Sequence, residues 1–154
     1  MAECFMPSDA LLAHWQGHRR LTRKVIEAFP EDQLFTFSVG GMRPFGALAH
    51  EMLHMAVPMV RGLVDDTWPM PDVKETTKAG VLARWDEATR EIEALWPRIA
   101  AGRFDAQLVA FGQYPGKGHE LMLYVMDNEV HHRGQGYVYL RALGIAPPQF
   151  FDRA

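Results

Sequence analysis

Histidines in two distant parts of the chain are arranged as metal ligands often are. His50 and His54 lie four residues apart, and His131 and His132 follow about eighty residues downstream. Residues separated by four positions share one face of an α-helix, so His50 and His54 point in nearly the same direction. Imidazole is a good ligand for zinc and nickel. The pattern indicates a divalent metal site, although an exposed or hydrogen-bonded side chain is the simpler interpretation of any single histidine.

The downstream histidines belong to a longer polar stripe. At about 100° per residue, Asn128, His131, His132 and Gln135 share one arc of a helix. A helix in a bundle normally buries leucine on such an arc, because buried polar groups without partners cost free energy. A metal ion is an efficient way to satisfy several imidazoles together. The stripe therefore favours a site that faces the upstream histidines.

The segment His50–His54 also matches the HExxH motif, in which two histidines bind zinc and the glutamate, here Glu51, activates a water molecule. A metzincin requires a glycine at the position that Val57 occupies. A gluzincin requires a downstream glutamate, for which Glu75 is a candidate. Because the motif has only three defined residues, a zinc protease is a minor alternative.

Apolar residues with helical spacing predict the elements that carry these side chains. The first helix has Ser8 as its N-cap, and Pro30 ends it. Loops are predicted over 30–42 and 102–118, where Pro and Gly are frequent. The other predicted helices span about 44–65, with Pro58 kinking or breaking it, 72 or 76 to 99, and 119–143 before Gly144. This organisation predicts an all-α four-helix bundle.

Composition narrows the function classes. The chain has 154 residues, 48% hydrophobic and 23% charged, which fits one domain over 1–154. A net charge of −3 argues against a nucleic-acid partner. No apolar run approaches the ~20 residues that cross a bilayer, so no membrane partner is expected. The single cysteine, Cys4, cannot form an internal disulfide, which favours the cytoplasm.

Three sequence strings together resemble the DinB/YfiT-like superfamily. They are Gly41-Met-Arg-Pro-Phe-Gly-Ala-Leu-Ala-His50, His131-His-Arg-Gly-Gln135 and Leu143-Gly-Ile-Ala-Pro-Pro148. The resemblance covers nearly the whole chain and implies a four-helix bundle. It also implies a divalent metal, such as zinc or nickel, bound by one histidine on the second helix and two at i and i+4 on the last.

The resemblance places the metal ligands on His50 and His132, with Asn128 where the family has its other histidine. An amide oxygen is a poorer ligand than imidazole for these metals. Three outcomes are open: Asn128 binds weakly, His54 or His131 completes the site, or the metal is lost. We expect a weakened or rearranged site.

Other polar residues have possible supporting roles. Gln135 could orient a ligand or a bound water, and a helix–helix hydrogen bond is the equal alternative. Glu51 or Glu129 could act as a base. On the first helix, His14 and His18 are also four residues apart, with His14 expected in solvent and His18 beside the core.

By resemblance, the first functional hypothesis is a metal-dependent S-transferase or hydrolase. It would activate a low-molecular-weight thiol or a water for attack on a small electrophilic substrate. The alternative is a non-catalytic bundle with a degenerate metal site, serving as a small-ligand-binding or stress-response protein. Gly134 and Gly136 indicate close helix approach, either within the bundle or across a homodimer interface.

Overall fold

Four long helices form where the apolar periodicity predicts them. In the computed structural model, which describes residues 5–154, they are α1 (Ser8–Ala28), α2 (Phe45–Asp65), α3 (Lys78–Leu95) and α4 (Gly118–Ala142). Short 3-10 turns at Trp96–Arg98 and Ala101–Phe104 follow α3. The all-α four-helix fold is therefore confirmed. Cys4 lies outside the described residues.

Local sequence signals explain most helix ends. The third helix begins at Lys78, later than predicted, because the Thr77 side chain caps it by accepting a hydrogen bond from the Gly80 amide at 3.1 Å. Ser8 is the first residue of α1 and is not its N-cap. The last helix ends at Ala142, and the chain reverses at Gly144, which has a φ of 76°. Pro58 lies inside α2, and the helix continues through it.

The predicted loop over 102–118 is wrong, because it contains a β-hairpin. Strand β1 (Gln107–Ala110) pairs antiparallel with β2 (Tyr114–Lys117). Phe111 and Gly112 both have positive φ, 54° and 68°, and form the turn between the strands. Glycine adopts this conformation without steric cost. The hairpin buries alternate residues of β1 against the bundle. This burial stabilises the strand, although it is only four residues long.

The core lies between the helices, with α2 packed against both α3 and α4. Trp15, Trp85 and Trp96 are buried in it. Gly136 allows close helix approach, because a Cβ there would lie 2.5 Å from the Phe45 ring. Gly134 faces open space instead. The homodimer remains a prediction.

Hydropathy adds one observation. In residues 5–154, none of the helices combines the length and apolar character needed to cross a membrane.

Candidate functional site

The contact between α2 and α4 brings a carboxylate, an amide and an imidazole together. Glu51 Oε1 lies 2.9 Å from His132 Nε2 and accepts a hydrogen bond from Asn128 Nδ2 at 3.0 Å. Asn128 and His132 are one turn apart on α4, so both side chains reach the same oxygen. We call Glu51, Asn128 and His132 the α2/α4 trio.

The other nitrogen of His132 also faces an oxygen. His132 Nδ1 lies 3.0 Å from Gln135 Oε1, and the amide nitrogen of Gln135 donates to Met42 Sδ at 3.7 Å, which orients the amide. Both ring nitrogens of His132 therefore face oxygens, and a neutral imidazole can donate a hydrogen bond to only one of them. The His132 side chain is only 8% exposed. The His132–Glu51 contact therefore has the geometry of an ion pair that is partly shielded from water.

Glu51 has a third charged or polar partner. Arg43 Nη1, from the segment before α2, lies 2.5 Å from Glu51 Oε2. Burial raises the pKa of Glu51, but hydrogen bonds from His132, Asn128 and Arg43 outweigh burial and lower the pKa to about 2. Glu51 is thus ionised at neutral pH and is a weak proton acceptor. Its surroundings suit an ionic anchor better than the general base proposed from the sequence.

The remaining predicted ligands have other surroundings. His50 Nε2 lies 2.8 Å from the backbone carbonyl of Glu75, and the His50 ring packs on Phe35. His54 is half-buried, and His131 is exposed with its ring centroid 5.2 Å from that of His132. The second-helix partner of His132 is therefore Glu51 and not His50. One residue along a helix rotates a side chain by about 100°, which is enough to change the face it occupies.

The HExxH alternative gains no support from Glu75. Its carboxylate lies 3.6 Å from Arg84 Nε and accepts a hydrogen bond from the Lys74 amide. Only its backbone carbonyl meets His50. Within residues 5–154, no three or more His, Cys, Asp or Glu side chains form a group that could hold a metal ion.

The chemistry of the α2/α4 trio bears on the expected metal. It offers one imidazole, whose nitrogens both face oxygens, and one carboxylate whose charge already pairs with Arg43. Its third member is an amide, whose Oδ1 is buried and has no hydrogen-bond partner among the described residues. As arranged, the trio does not fit a tightly bound zinc or nickel ion, because such ions prefer imidazole and thiolate ligands with available lone pairs.

Glu51 connects the trio to a large cleft. The cleft has a volume of about 1210 Å³ and lies between α2, the α2–α3 connection, the hairpin and the start of α4. Its apolar lining includes Met55, Met59, Trp68, Phe111, Leu121 and Tyr124. Arg43, Glu51, His50 and His54 supply polar groups on the α2 side. Its size exceeds the roughly 300–1,000 Å³ of typical ligand pockets.

Two parts of this site have little or no signal in the sequence. Arg43 precedes α2 without any helical periodicity, so its contact with Glu51 has no local sequence signal. The hairpin that forms one cleft wall could have been suspected from Gly112 between two short runs of residues. Glu129, proposed as a base, is instead 2% exposed and faces α1, where its carboxylate accepts hydrogen bonds from Trp15 Nε1 at 3.0 Å and Thr22 Oγ1 at 2.6 Å.

Comparison with known proteins identifies the family. The chain is similar to a DinB-like protein from Bacillus subtilis, with 15% identity and a TM-score of 0.77 over 94% of this chain and 99% of that one. It is also similar to a DinB-like protein from Bacillus cereus, with 18% identity and a TM-score of 0.72 over 93% and 97% of the two chains. No curated protein matches the chain. A model of the DinB family matches residues 66–153. The chain therefore belongs to the DinB family.

Proposed function

We propose that this protein binds a small, largely apolar organic molecule in the cleft beside the α2/α4 trio. The observation that carries the proposal is a cleft of about 1210 Å³ with thioether and aromatic walls and a cluster of charged side chains on one side. Ligand sites usually combine apolar walls with a few well-placed polar groups. This is the small-ligand-binding alternative, in which the family's metal site has changed.

The walls and the charged cluster select for different parts of a ligand. Met55 and Met59 have flexible side chains that adapt to irregular apolar shapes. Trp68 and Phe111 pack with ring centroids 5.5 Å apart and provide a flat aromatic surface. At the charged cluster, the Arg43 guanidinium balances the charge of the Glu51 carboxylate. A neutral polar group on the ligand therefore fits there better than a second net charge.

The polar side chains of the site hold one another in place. Gln135 orients His132, His132 and Asn128 orient Glu51, and Glu51 pairs with Arg43. Two of these contacts, from His132 and Asn128 to Glu51, join α4 to α2, and helices are more rigid supports than loops. The Glu51 carboxylate and the Arg43 guanidinium would thus position a ligand without large rearrangement.

A neutral fluorescent apolar dye, N-phenyl-1-naphthylamine, tests this proposal. Ala47 lines the cleft, so Ala47→Trp should weaken dye binding by about tenfold, or about 1.4 kcal/mol, because the indole fills the space. Ala83 is exposed on α3, and Ala83→Trp is the matched control that should leave the affinity unchanged. Equal dye affinity for wild type and a folded Ala47→Trp variant would contradict the proposal.

A second candidate is the metal-dependent transferase or hydrolase implied by the family resemblance. It is favoured by the unpartnered Oδ1 of Asn128, because a flip of the amide would turn that oxygen toward Glu51 and His132. A divalent cation held there would acidify a bound water or a small thiol cofactor. Glu51, Asn128 and His132 would hold the ion, with zinc or nickel as the expected metal, only after the amide has flipped and the contacts of Glu51 with Arg43 and of His132 with Gln135 have opened.

Elemental analysis of untagged protein tests this second candidate. A functional site should retain close to one equivalent of zinc or nickel after reconstitution and desalting. Less than about 0.1 equivalent would exclude a tight catalytic metal. Asn128→Ala provides the matched control, because it removes the amide oxygen and should lower any metal content that depends on the trio.

A further inference from the structure

A second group of polar side chains lies where α4 packs against α1. The Arg133 side chain, 6% exposed as a residue, donates hydrogen bonds to the His18 backbone carbonyl at 3.2 Å and contacts His18 Nδ1 at 3.0 Å. A guanidinium group only donates hydrogen bonds, so His18 Nδ1 accepts and a neutral His18 carries its proton on Nε2. His18 Nε2 lies 3.1 Å from His14 Nε2.

The C-terminal segment adds another cation to this group. In this segment, the backbone carbonyl of Arg153 accepts a hydrogen bond from Arg20 Nε at 2.8 Å. The neighbouring Asp152 forms an ion pair with Lys24 at 3.1 Å. Arg153 Nη1 then lies 3.4 Å from His18 Nε2. Arg153 Nε is buried and has no hydrogen-bond partner among the described residues. A donor is therefore left unsatisfied beside another buried arginine.

Tyr137 contributes a second unsatisfied donor. Its hydroxyl is buried and, within the part of the chain that the structure describes, has no hydrogen-bond partner. Arg141 Cζ lies 5.7 Å from the Tyr137 ring centroid. Burial raises the pKa of Tyr137 despite the opposing charges of Arg133, Arg141 and Arg153, so the hydroxyl keeps its proton.

The Glu129 carboxylate attracts Arg133 but does not lie within ion-pair distance of it. Among residues 5–154, the ion pairs within 4 Å do not include Arg133, Arg141 or Arg153. The buried carboxylate of Glu129 accepts its hydrogen bonds from Trp15 and Thr22. The unsatisfied groups are thus donors in a region of positive charge, and the chemistry they lack is an anionic acceptor.

We propose that the α1/α4 cationic cluster, formed by His18, Arg133, Tyr137, Arg141 and Arg153, is a binding site for a small oxyanion such as phosphate, sulfate or a carboxylate. The anion would accept hydrogen bonds from Tyr137 Oη and Arg153 Nε. Arg153 is half-buried and Arg141 is exposed, so solvent reaches part of the cluster. The site is separate from the cleft, and the inference does not depend on the proposed function.

Calorimetric titration of the full chain with inorganic phosphate tests this site. Ionic strength is held constant with sodium chloride, so that general screening does not contribute. Phosphate should bind saturably, and Arg153→Gln should weaken binding by about tenfold or more. Arg90→Gln removes the same charge from an exposed position on α3 and should leave phosphate affinity unchanged. Sodium acetate and sodium sulfate, titrated in parallel, distinguish a carboxylate site from one for tetrahedral anions.

Tyr137→Phe is the second variant, because it removes only the hydroxyl. It should lower phosphate affinity several-fold while leaving the melting temperature without phosphate nearly unchanged. Bound phosphate should also raise the pKa of His18, measured by NMR, because it offsets the charges of Arg133 and Arg153. The proposal is overturned if neither phosphate, sulfate nor acetate binds up to about 100 mM, where a millimolar site would be saturated. Equal phosphate affinity for wild type and Tyr137→Phe would also overturn it.

Discussion

Two histidines in the bundle have opposite electrostatic surroundings. In the α2/α4 trio, His132 lies 2.9 Å from the Glu51 carboxylate. In the α1/α4 cationic cluster, His18 accepts a hydrogen bond from the Arg133 guanidinium. His132 and Arg133 are neighbours in sequence and face different helices. Which neighbour a histidine meets across the helix–helix contact therefore decides whether its ring faces a carboxylate or a guanidinium.

Burial also affects the pKa values of the titratable groups differently in the two regions. Burial is the largest influence on the pKa of both Glu51 and His18. For Glu51 it opposes the hydrogen bonds that lower the pKa to about 2. For His18 it acts in the same direction as the charges of Arg133, Arg153 and His14, and the pKa falls to about 4. The trio thus holds an ionised carboxylate among hydrogen-bond donors, whereas the cationic cluster holds a neutral imidazole among cations.

The largest expected effect is on stability in the cationic cluster. Arg133→Met should lower the free energy of unfolding by about 3 kcal/mol, because it leaves His18 Nδ1 without its donor and removes a buried charge near Glu129. Urea unfolding at pH 7 measures the change. Arg90→Met, at an exposed position, should change the free energy of unfolding by less than about 0.5 kcal/mol. A similar loss in both variants would show that the contacts of Arg133 contribute no more to stability than those of the exposed Arg90.

The next effect concerns metal affinity at the trio. The double substitution Glu51→His and Asn128→His supplies three imidazoles and should raise zinc affinity by about 100-fold, or about 2.7 kcal/mol, over wild type. Calorimetric zinc titration measures the gain. Glu87→His with Glu93→His adds two histidines at exposed positions of α3 as the control. Equal gains in both double variants would place the new zinc ligands outside the trio.

The low pKa of His18 predicts a pH dependence of stability. Its pKa of about 4 in the folded protein lies below the ordinary value of 6.5, so the unfolded chain binds a proton first as the pH falls. Stability should decrease by about 2 kcal/mol between pH 6.5 and 4 and be unaffected by His18 above that range. His18→Gln keeps an acceptor for Arg133 and should remove this decrease in urea unfolding. His131→Gln, on the exposed face of α4, should retain it.

The smallest effect comes from Glu51, which titrates in a more acidic range. Its folded pKa of about 2 lies below the ordinary 4.5, so its contribution is present above pH 4.5 and is lost as the pH falls toward 2. The expected contribution is about 1 kcal/mol, because solvent reaches part of the side chain and screens its charges. In the Glu51→Gln variant, the free energy of unfolding should vary less with pH over this range. If the free energy of unfolding of this variant depends on pH as in the wild type, Glu51 is not the source of the acid sensitivity.

The sequence predicts features that depend on neighbouring residues along one helix. Asn128, His132 and Gln135 share an arc of α4 because helical geometry repeats every 3.6 residues. In the structure these three side chains therefore lie on the same side of α4, as the sequence predicts. The hairpin was missed because its strands are four residues long and its signals, Gly112 and Gly116, also occur in ordinary loops.

The second-helix partner of His132 could not be predicted in the same way. His50 and Glu51 both lie on α2, and only the rotation of α2 against α4 decides which one faces Asn128 and His132. That rotation depends on packing at distant points, such as the contact between Phe45 and Gly136. Arg43 and Arg153 reach their partners from segments without periodicity.

Helix formation, helix ends and the order of polar residues along α4 were thus encoded locally, because backbone hydrogen bonding and side-chain periodicity act over a few residues. The pairing of Glu51 with His132, the encounter of His18 with Arg133 and Arg153, and the cleft between α2 and the hairpin arise only on folding. These contacts join residues far apart in the chain, and their geometry follows from how the apolar faces of the helices pack together.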